Sequence, residues 1–316
     1  MAIPNSSFLI PNSPKVLLAY LISAYRDPEH LRRLIDTLDG EAHFYVHIDA
    51  NVDDRPFRRC LPAKVRFVPR HRVSWGGWEQ VEYQHELLRA ALASGEDYDY
   101  LFCLSAQDFP LWSNRRIREF LAAHPGAEWM GGHNLTHTDN AAQRRKITHY
   151  HPFRDLHLPS PWLKNKLVVA ARHLLAWSGL RRRPQVELGG RLCDVYFGSD
   201  YWALTLGCAR HVCHVLDTQP ALRRYFRTTF VPSELCIQTI VFNSPFAPHA
   251  QFLPNPYPGL TALTPLHFID YGACIRELTE EDFPRLQASG KMFCRKIVSG
   301  KSDALVRKIL AARAAD

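Results

Sequence analysis

Over residues 1–130 the chain switches repeatedly between short, unbroken apolar runs and longer segments with helical spacing. Val16-Leu17-Leu18-Ala19-Tyr20-Leu21-Ile22 is apolar at every position, the pattern of a strand buried on both faces. A polar loop, Ser23 to Asp27, follows it. Pro28 then opens a helix over Glu29–Leu38, with apolar residues at 31, 34, 35 and 38. The same reasoning predicts strands at 43–49, 65–68, 100–105 and 128–131, and helices at about 77–93 and 115–123. Strands separated by helices specify a mostly parallel sheet with helices on both faces. Ligands bind such sheets at the carboxyl ends of the strands. Polar residues gather there in this chain: Ser23-Ala24-Tyr25-Arg26, His47 with Asp49, and Ser105-Ala106-Gln107-Asp108.

The second half is less regular. Residues 133–195 are rich in His, Arg and Pro, with one predicted helix at about 162–178. The block 198–242 offers a strand and two helices. A connector with Pro245, Pro248, Pro254, Pro256 and Pro258 then leads to a strand at 266–270 and a basic C-terminal segment. No internal repeat marks a boundary, so one domain with an elaborated second half is expected, preceded by a flexible lead-in at 1–13.

A hydrophobic fraction of 46% and a charged fraction of 22% are those of an ordinary globular protein. No run approaches the ~20 apolar residues of a membrane span. The N-terminus has no basic n-region and is broken by Pro4, Pro11 and Pro14, so no secretory signal is expected. The eight cysteines form no CxxC, and several sit inside apolar runs, which points to a reducing compartment without a disulfide framework. The net charge of +8 is concentrated in Arg144-Arg145-Lys146, Arg181-Arg182-Arg183 and residues 291–308. Such clusters attract a phosphorylated ligand or an anionic membrane surface. No nucleic-acid signature accompanies them, and no nucleic-acid partner is expected.

Several residues admit both a chemical and a structural reading. Glu234 follows Val231-Pro232-Ser233 at the mouth of the apolar run Leu235-Cys236-Ile237-Gln238-Thr239-Ile240. A carboxylate held there can take a proton from a hydroxyl. It can also be a first-turn glutamate facing the helix dipole, with Ser233 as the cap. Asp49, at a strand end, suits a ribose or base contact or a loop cap. Trp75, Gly76 and Gly77 offer a stacking ring and approachable backbone, or a glycine turn entering a helix. Asp97-Tyr98-Asp99 has the spacing of a cation-binding pair but precedes its strand, so it is assigned to a solvated loop. Asp108 lies at the right edge, yet one carboxylate makes a weak site for a hard cation. The histidines at 133 and 137, 149 and 151, and 211 and 214 lack the partners of a zinc site. Arg295, Lys296 and Lys301 can clamp a diphosphate or form a solvated basic tail.

Seven segments, in order, carry a family resemblance. They are Tyr45-Val46-His47-Ile48-Asp49, Val73-Ser74-Trp75-Gly76-Gly77, Leu104 to Leu111 (with Asp108-Phe109-Pro110), Gly198-Ser199-Asp200-Tyr201-Trp202, Pro232-Ser233-Glu234 with Thr239, Phe268-Ile269-Asp270-Tyr271, and Phe293-Cys294-Arg295-Lys296. Together they resemble the core-2/I-branching glycosyltransferases (glycosyltransferase family 14), which include branching β-1,6-N-acetylglucosaminyltransferases and peptide O-xylosyltransferases. The chain departs from the family at Ser233, where an aspartate is usual, at Ala106, within the segment where Ser-Gly is usual, and at Tyr271, where tryptophan is commoner. These departures bear on the acceptor.

The resemblance implies a GT-A-like α/β fold, with a nucleotide-sugar half at about 14–131 and an acceptor and catalytic half at about 132–316. It implies a UDP-sugar donor, inversion at the anomeric carbon, and Glu234 as the base on the acceptor hydroxyl. No divalent metal and no cofactor are expected. Arg295 and Lys296, with Lys301 beside them, would stabilise the departing diphosphate. Asp49 would lie at the nucleotide, with Trp75, Gly76, Gly77 and Asp108 lining the donor pocket. Ser199, Asp200, Trp202 and Tyr271 would face the acceptor. The expected activity moves GlcNAc or xylose to a saccharide or glycolipid hydroxyl, in the cytoplasm and peripheral to the membrane. Two alternatives are a nucleotide-sugar- or carbohydrate-binding protein of this fold without catalysis, and a metal-dependent transferase centred on Asp108.

Overall fold

The apolar runs of the first half become the centre of a sheet in the computed structural model, which describes residues 15–272 and 274–316. The expected lead-in, 1–13, lies outside them. The first half contributes strands β1 (Leu18–Ala24), β2 (Ala42–Ile48), β3 (Val65–Phe67), β4 (Tyr100–Ser105), β5 (Asp108–Pro110) and β6 (Glu128–Asn134). Helices α1 (Pro28–Leu38), α2 (Arg55–Cys60), α3 (Glu79–Leu92) and α4 (Asn114–Ala123) are interleaved with them. The second half begins with helices α5 (Ala141–Thr148) and α6 (Pro161–Trp177), then the hairpin β7 (Gln185–Leu188) and β8 (Arg191–Asp194). Strands β9 (Tyr196–Phe197) and β10 (Ala203–Thr205) lead into helices α7 (Leu206–Thr218), α8 (Pro220–Phe226) and α9 (Cys236–Phe242). The chain ends through β11 (Ala250–Phe252), β12 (His267–Ile269), α10 (Phe283–Ala288), β13 (Phe293–Arg295) and α11 (Asp303–Ala315).

The main sheet runs in the order β11-β6-β10-β4-β1-β2-β3, with β9 paired to β6. β1 is parallel to both β2 and β4, and β2 to β3; β10 enters antiparallel between β4 and β6. The expected mostly parallel α/β sheet is present, and its second half is threaded into it through β10. Burial on both faces explains the unbroken apolar run of β1. Leu18, Tyr20 and Ile22 pack with Leu31, Leu34, Ile35 and Leu38 of α1, while Ala19 and Leu21 pack with Val81, Leu87 and Leu88 of α3.

A second, three-stranded sheet, β12-β13-β5, takes the expected strand at 266–270 as β12, while β13 and β5 have no counterpart in the sequence prediction. Its middle strand is Phe293-Cys294-Arg295, which composition alone assigns to a basic tail. All three residues are buried, and the register sets Arg295 beside Asp108. The helices α5 and α11 are likewise additions to the predicted elements.

Candidate active site

Strand order reverses between β1 and β4, and a cavity of about 410 Å3 opens there, within the range of small-ligand sites. The carboxyl ends of three strands form part of its wall through Ser23 and Ala24 (β1), His47 with Asp49 (β2), and Cys103 to Ser105 (β4). Trp75, the α3 residues Gln80, Tyr83 and Gln84, and the second-half residues Ser199, Asp200, Tyr201, Glu234, Tyr271 and Arg295 are also among its lining residues.

Glu234 is held by backbone rather than by a helix. Pro232–Glu234 forms a single 3-10 turn, and α9 starts only at Cys236. Val231 enters that turn at φ 49°, a left-handed conformation costly for a β-branched residue. The Glu234 amide donates to the Val231 carbonyl at 3.1 Å, and the Gly198 amide donates to the Glu234 carbonyl at 2.9 Å. A Cβ at Gly198 would meet the Gly131 carbonyl oxygen at 2.1 Å, so only glycine permits this close crossing. Ser233, expected as a helix cap, instead donates its hydroxyl to Asp200 Oδ2 at 3.2 Å.

The carboxylates of Glu234 and Asp200 share this wall, and both are pushed toward their neutral forms. Burial is the main cause for Glu234, the charge of Asp200 adds to it, and Lys146 opposes it; the net pKa rises to about 8. Burial also raises Asp200, against hydrogen bonds from Ser233 and Gln84. Lys146 comes from α5, its Nζ 4.0 Å from Glu234 Oε2 and 3.5 Å from the centre of the Phe197 ring. Burial lowers its pKa in turn.

Arg295 reaches the cavity from β13. Its Nη1 donates to Asp108 Oδ1 at 2.9 Å, its guanidinium lies 5.2 Å from the Tyr201 ring centre, and its buried Nε has no partner among the described residues. Asp108 itself is fully buried and does not line the cavity, which corrects the expectation that it faces the donor. One oxygen takes Arg295. The other accepts the Ser105 amide at 2.7 Å and lies 3.3 Å from His267 Nε2. Burial acts to raise the Asp108 pKa, but His267, Arg295 and the Ser105 amide outweigh it and hold the group below its ordinary value.

Other expected residues separate into those the fold brings to the cavity and those it does not. Asp49, Trp75, Ser199, Asp200 and Tyr271 line it. Asp49 also accepts the amides of Asn51 and Val73 at 2.9 and 3.2 Å, so it closes a loop as well as facing the cavity. Gly76 and Gly77 form the turn behind Trp75, where Gln80 Oε1 accepts the Gly76 amide at 2.8 Å. Trp202 is a correction: it is fully buried in the core with Leu204 and Ile237, where no acceptor reaches it. Lys296 is off the cavity lining, and Lys301 is spent on Glu277 at 3.0 Å. Asp97 is exposed and Asp99 accepts the Leu17 amide, as a loop assignment requires.

Sequence reasoning missed Lys146, Tyr83 and Gln84. Lys146 sits in a basic run that reads as surface charge. Gln80 and Gln84, one turn apart on a helix with an otherwise apolar inner face, were the available signal.

Residues 18–252 match the family model described as Core-2/I-Branching enzyme. The chain is 24% identical over 306 residues to Xylosyltransferase oxt of Drosophila melanogaster, covering 89% of this chain and 32% of that protein. It is 25% identical over 313 residues to Xylosyltransferase 2 of Mus musculus, covering 90% and 32%. Against the N-acetyllactosaminide beta-1,6-N-acetylglucosaminyl-transferase of Homo sapiens it is 25% identical over 226 residues, covering 69% and 50%. It therefore spans about a third of the length of these xylosyltransferases and half that of the human transferase. With the family match running from β1 to β11, across the sheet and the Glu234 turn, the chain belongs to the Core-2/I-branching enzyme family.

Proposed function

We propose that this protein is an inverting glycosyltransferase that moves GlcNAc or xylose from a UDP-sugar to a saccharide or glycoconjugate hydroxyl, without a divalent metal. The observation that carries this reading is the convergence of Glu234 and Arg295 on one cavity at the switch point of the sheet. Glu234 takes the acceptor hydroxyl proton as that oxygen attacks the anomeric carbon. The bond from that carbon to the diphosphate breaks, and UDP leaves with the electron pair. Arg295, already oriented by Asp108, meets the developing charge on the diphosphate. Asp49 and Trp75 serve the donor, and Ser199, Asp200 and Tyr271 the acceptor.

One feature supports a site that works without a metal: Asp108, the strand-end carboxylate best placed by sequence to hold a cation, is occupied by Arg295 and His267.

A panel of UDP-sugars, with the protein in excess EDTA, tests the reading. The expected result is a donor-specific rise in melting temperature and transfer to a saccharide that the chelator leaves undiminished. UDP binding with neither transfer nor hydrolysis from any donor would make this a binding protein of the same fold, and loss of activity in EDTA would restore the metal-dependent alternative.

The base assignment also predicts a pH profile. Glu234 must be ionised to act, so the acidic limb of kcat/KM lies well above the ordinary carboxylate range. Lys146→Met removes the cation that favours the ionised form and is expected to move that limb about one unit to higher pH. A limb that stays in place assigns the titration to another group.

A further inference from the structure

The longest helix of the described residues, α6, is also the one the fold covers least. Of its described side chains, only Lys164, Val168, Ala171 and Leu175 turn toward the body, and even these are half-buried. Another face carries Leu163, Leu167, Ala170, Leu174 and Trp177, at steps of four, three, four and three residues, which is one continuous stripe on a helix. The four large members are 45%, 43%, 64% and 87% exposed. A 17-residue helix is about 25 Å long, so the stripe is an extended apolar patch of a kind that monomeric proteins rarely leave open to water.

Its charge setting is one-sided. Between Asp155 and Glu187 there is no acidic residue. Lys166 flanks the stripe, its Nζ 5.6 Å from the centre of the Trp162 ring, and exposed Arg181 and Arg183 follow the helix end. Of the other two clusters evident in the sequence, Arg144 and Arg145 of α5 are exposed, while the C-terminal basic segment is partly paired within the fold. Lys301 pairs with Glu277, Lys308 with Glu280 at 2.6 Å, and Lys291 donates to the Thr264 and Pro265 carbonyls. Among the described residues, exposed cations without an acidic partner therefore border α6, and Arg144 and Arg145 of α5 are two more.

We propose that α6 is a membrane-docking helix: its Leu163–Trp177 face enters the interface of an anionic bilayer while Lys166, Arg181 and Arg183 meet the lipid headgroups. An exposed apolar stripe bordered by cations is the composition that lies in a membrane interface. No helix among the described residues is long and apolar enough to cross the membrane, so the contact runs along the surface. A second copy is a poorer occupant, because two-fold pairing through this face would bring the same cations together.

The helix is also tied to the candidate active site. Lys164 Nζ donates to Ser74 Oγ at 2.8 Å, and the next residue, Trp75, is 69% exposed on the cavity wall. Seating α6 on a bilayer brings this wall to the interface, where an acceptor carried on a lipid would be presented. That last step rests on the transferase reading; the docking does not.

The test is co-sedimentation of the full chain with phosphatidylcholine vesicles, and with vesicles in which about a third of the lipid is phosphatidylglycerol. The wild type is expected to sediment with the anionic vesicles and not with the neutral ones. Leu174→Ser combined with Trp177→Ser, and separately Lys166→Glu combined with Arg181→Glu, are each expected to weaken binding ~10-fold or more at an unchanged melting temperature. Wild type that ignores anionic vesicles, or apolar variants that bind as the wild type does, would overturn the proposal. So would a dimer that the Leu174→Ser, Trp177→Ser pair dissolves in the absence of lipid, which gives the face to a second copy. Vesicle binding without sugar transfer would leave the docking standing and remove only the transferase reading.

Discussion

Glu234→Gln is expected to reduce turnover about 10²–10⁴-fold, the usual contribution of a positioned general base, while UDP binding stays near the wild-type level. The substitution keeps the size of the side chain and the backbone bonds of the 3-10 turn, so the loss isolates the proton acceptor. Turnover that survives it would pass the role to another group, with Asp200 the neighbour to try next. The same variant carries a stability signature of opposite sign. Burial and Asp200 raise the folded-state pKa of Glu234 from 4.5 to about 8. A carboxyl raised in the folded state favours folding fully below its unfolded pKa, and that contribution is lost as pH climbs from about 4.5 toward 8. Glutamine carries no such cost. At pH 8 the variant is expected to melt about 2 °C or more above the wild type, with the gap closing near pH 4. A residue kept at the expense of stability is the mark of a functional group, and an equal melting temperature at both pH values would remove that argument.

Arg295→Ala is expected to cost about 3–5 kcal/mol of folding stability, because it leaves the Asp108 carboxylate buried without its guanidinium partner. On the proposed mechanism it also removes the cation that meets the leaving diphosphate, so kcat should fall by about two orders of magnitude or more in whatever fraction remains folded. Arg295→Lys separates the two effects. It keeps a charge for Asp108 but loses the planar fork, and should recover much of the stability and little of the rate. The pairing itself is read by a double-mutant cycle. Asp108→Asn with Arg295→Met should be less destabilising than the sum of the two single changes, by about 1–3 kcal/mol. Additive losses, or an Arg295→Ala protein that melts like the wild type, would show that the ion pair does not hold the guanidinium in place.

Legibility in the sequence followed the range of the interaction. β1, β2 and β4 are written as apolar runs because each is buried on both faces by its neighbours, and the caps of α1 and α4, Asp27 and Ser113, lie beside the helices they start. β13 was hidden because an arginine in a short strand reads as solvated until its partner is known, and that partner is 187 residues away. Trp202 differs from its expected place for a related reason: a tryptophan next to two cavity residues can point to the other side of the chain, and here it points into the core. Lys146 sits in a basic run whose local pattern is that of surface charge, yet its ammonium lies on the Phe197 ring beside Glu234.

By itself, then, the sequence determined the parallel α/β sheet, the edge at which a ligand would bind, the family, and Glu234 as the carboxylate to watch. Hydrophobic periodicity and ordered motifs are local patterns, and they survive in one dimension. The tertiary structure alone decided that Glu234 stands on a turn instead of a helix, that Asp108 orients Arg295 instead of facing the donor, and that α6 turns its apolar stripe outward. Burial and charge pairing depend on which distant residues meet, and the local pattern of Leu163 to Trp177 is the same whether a core or a membrane covers it.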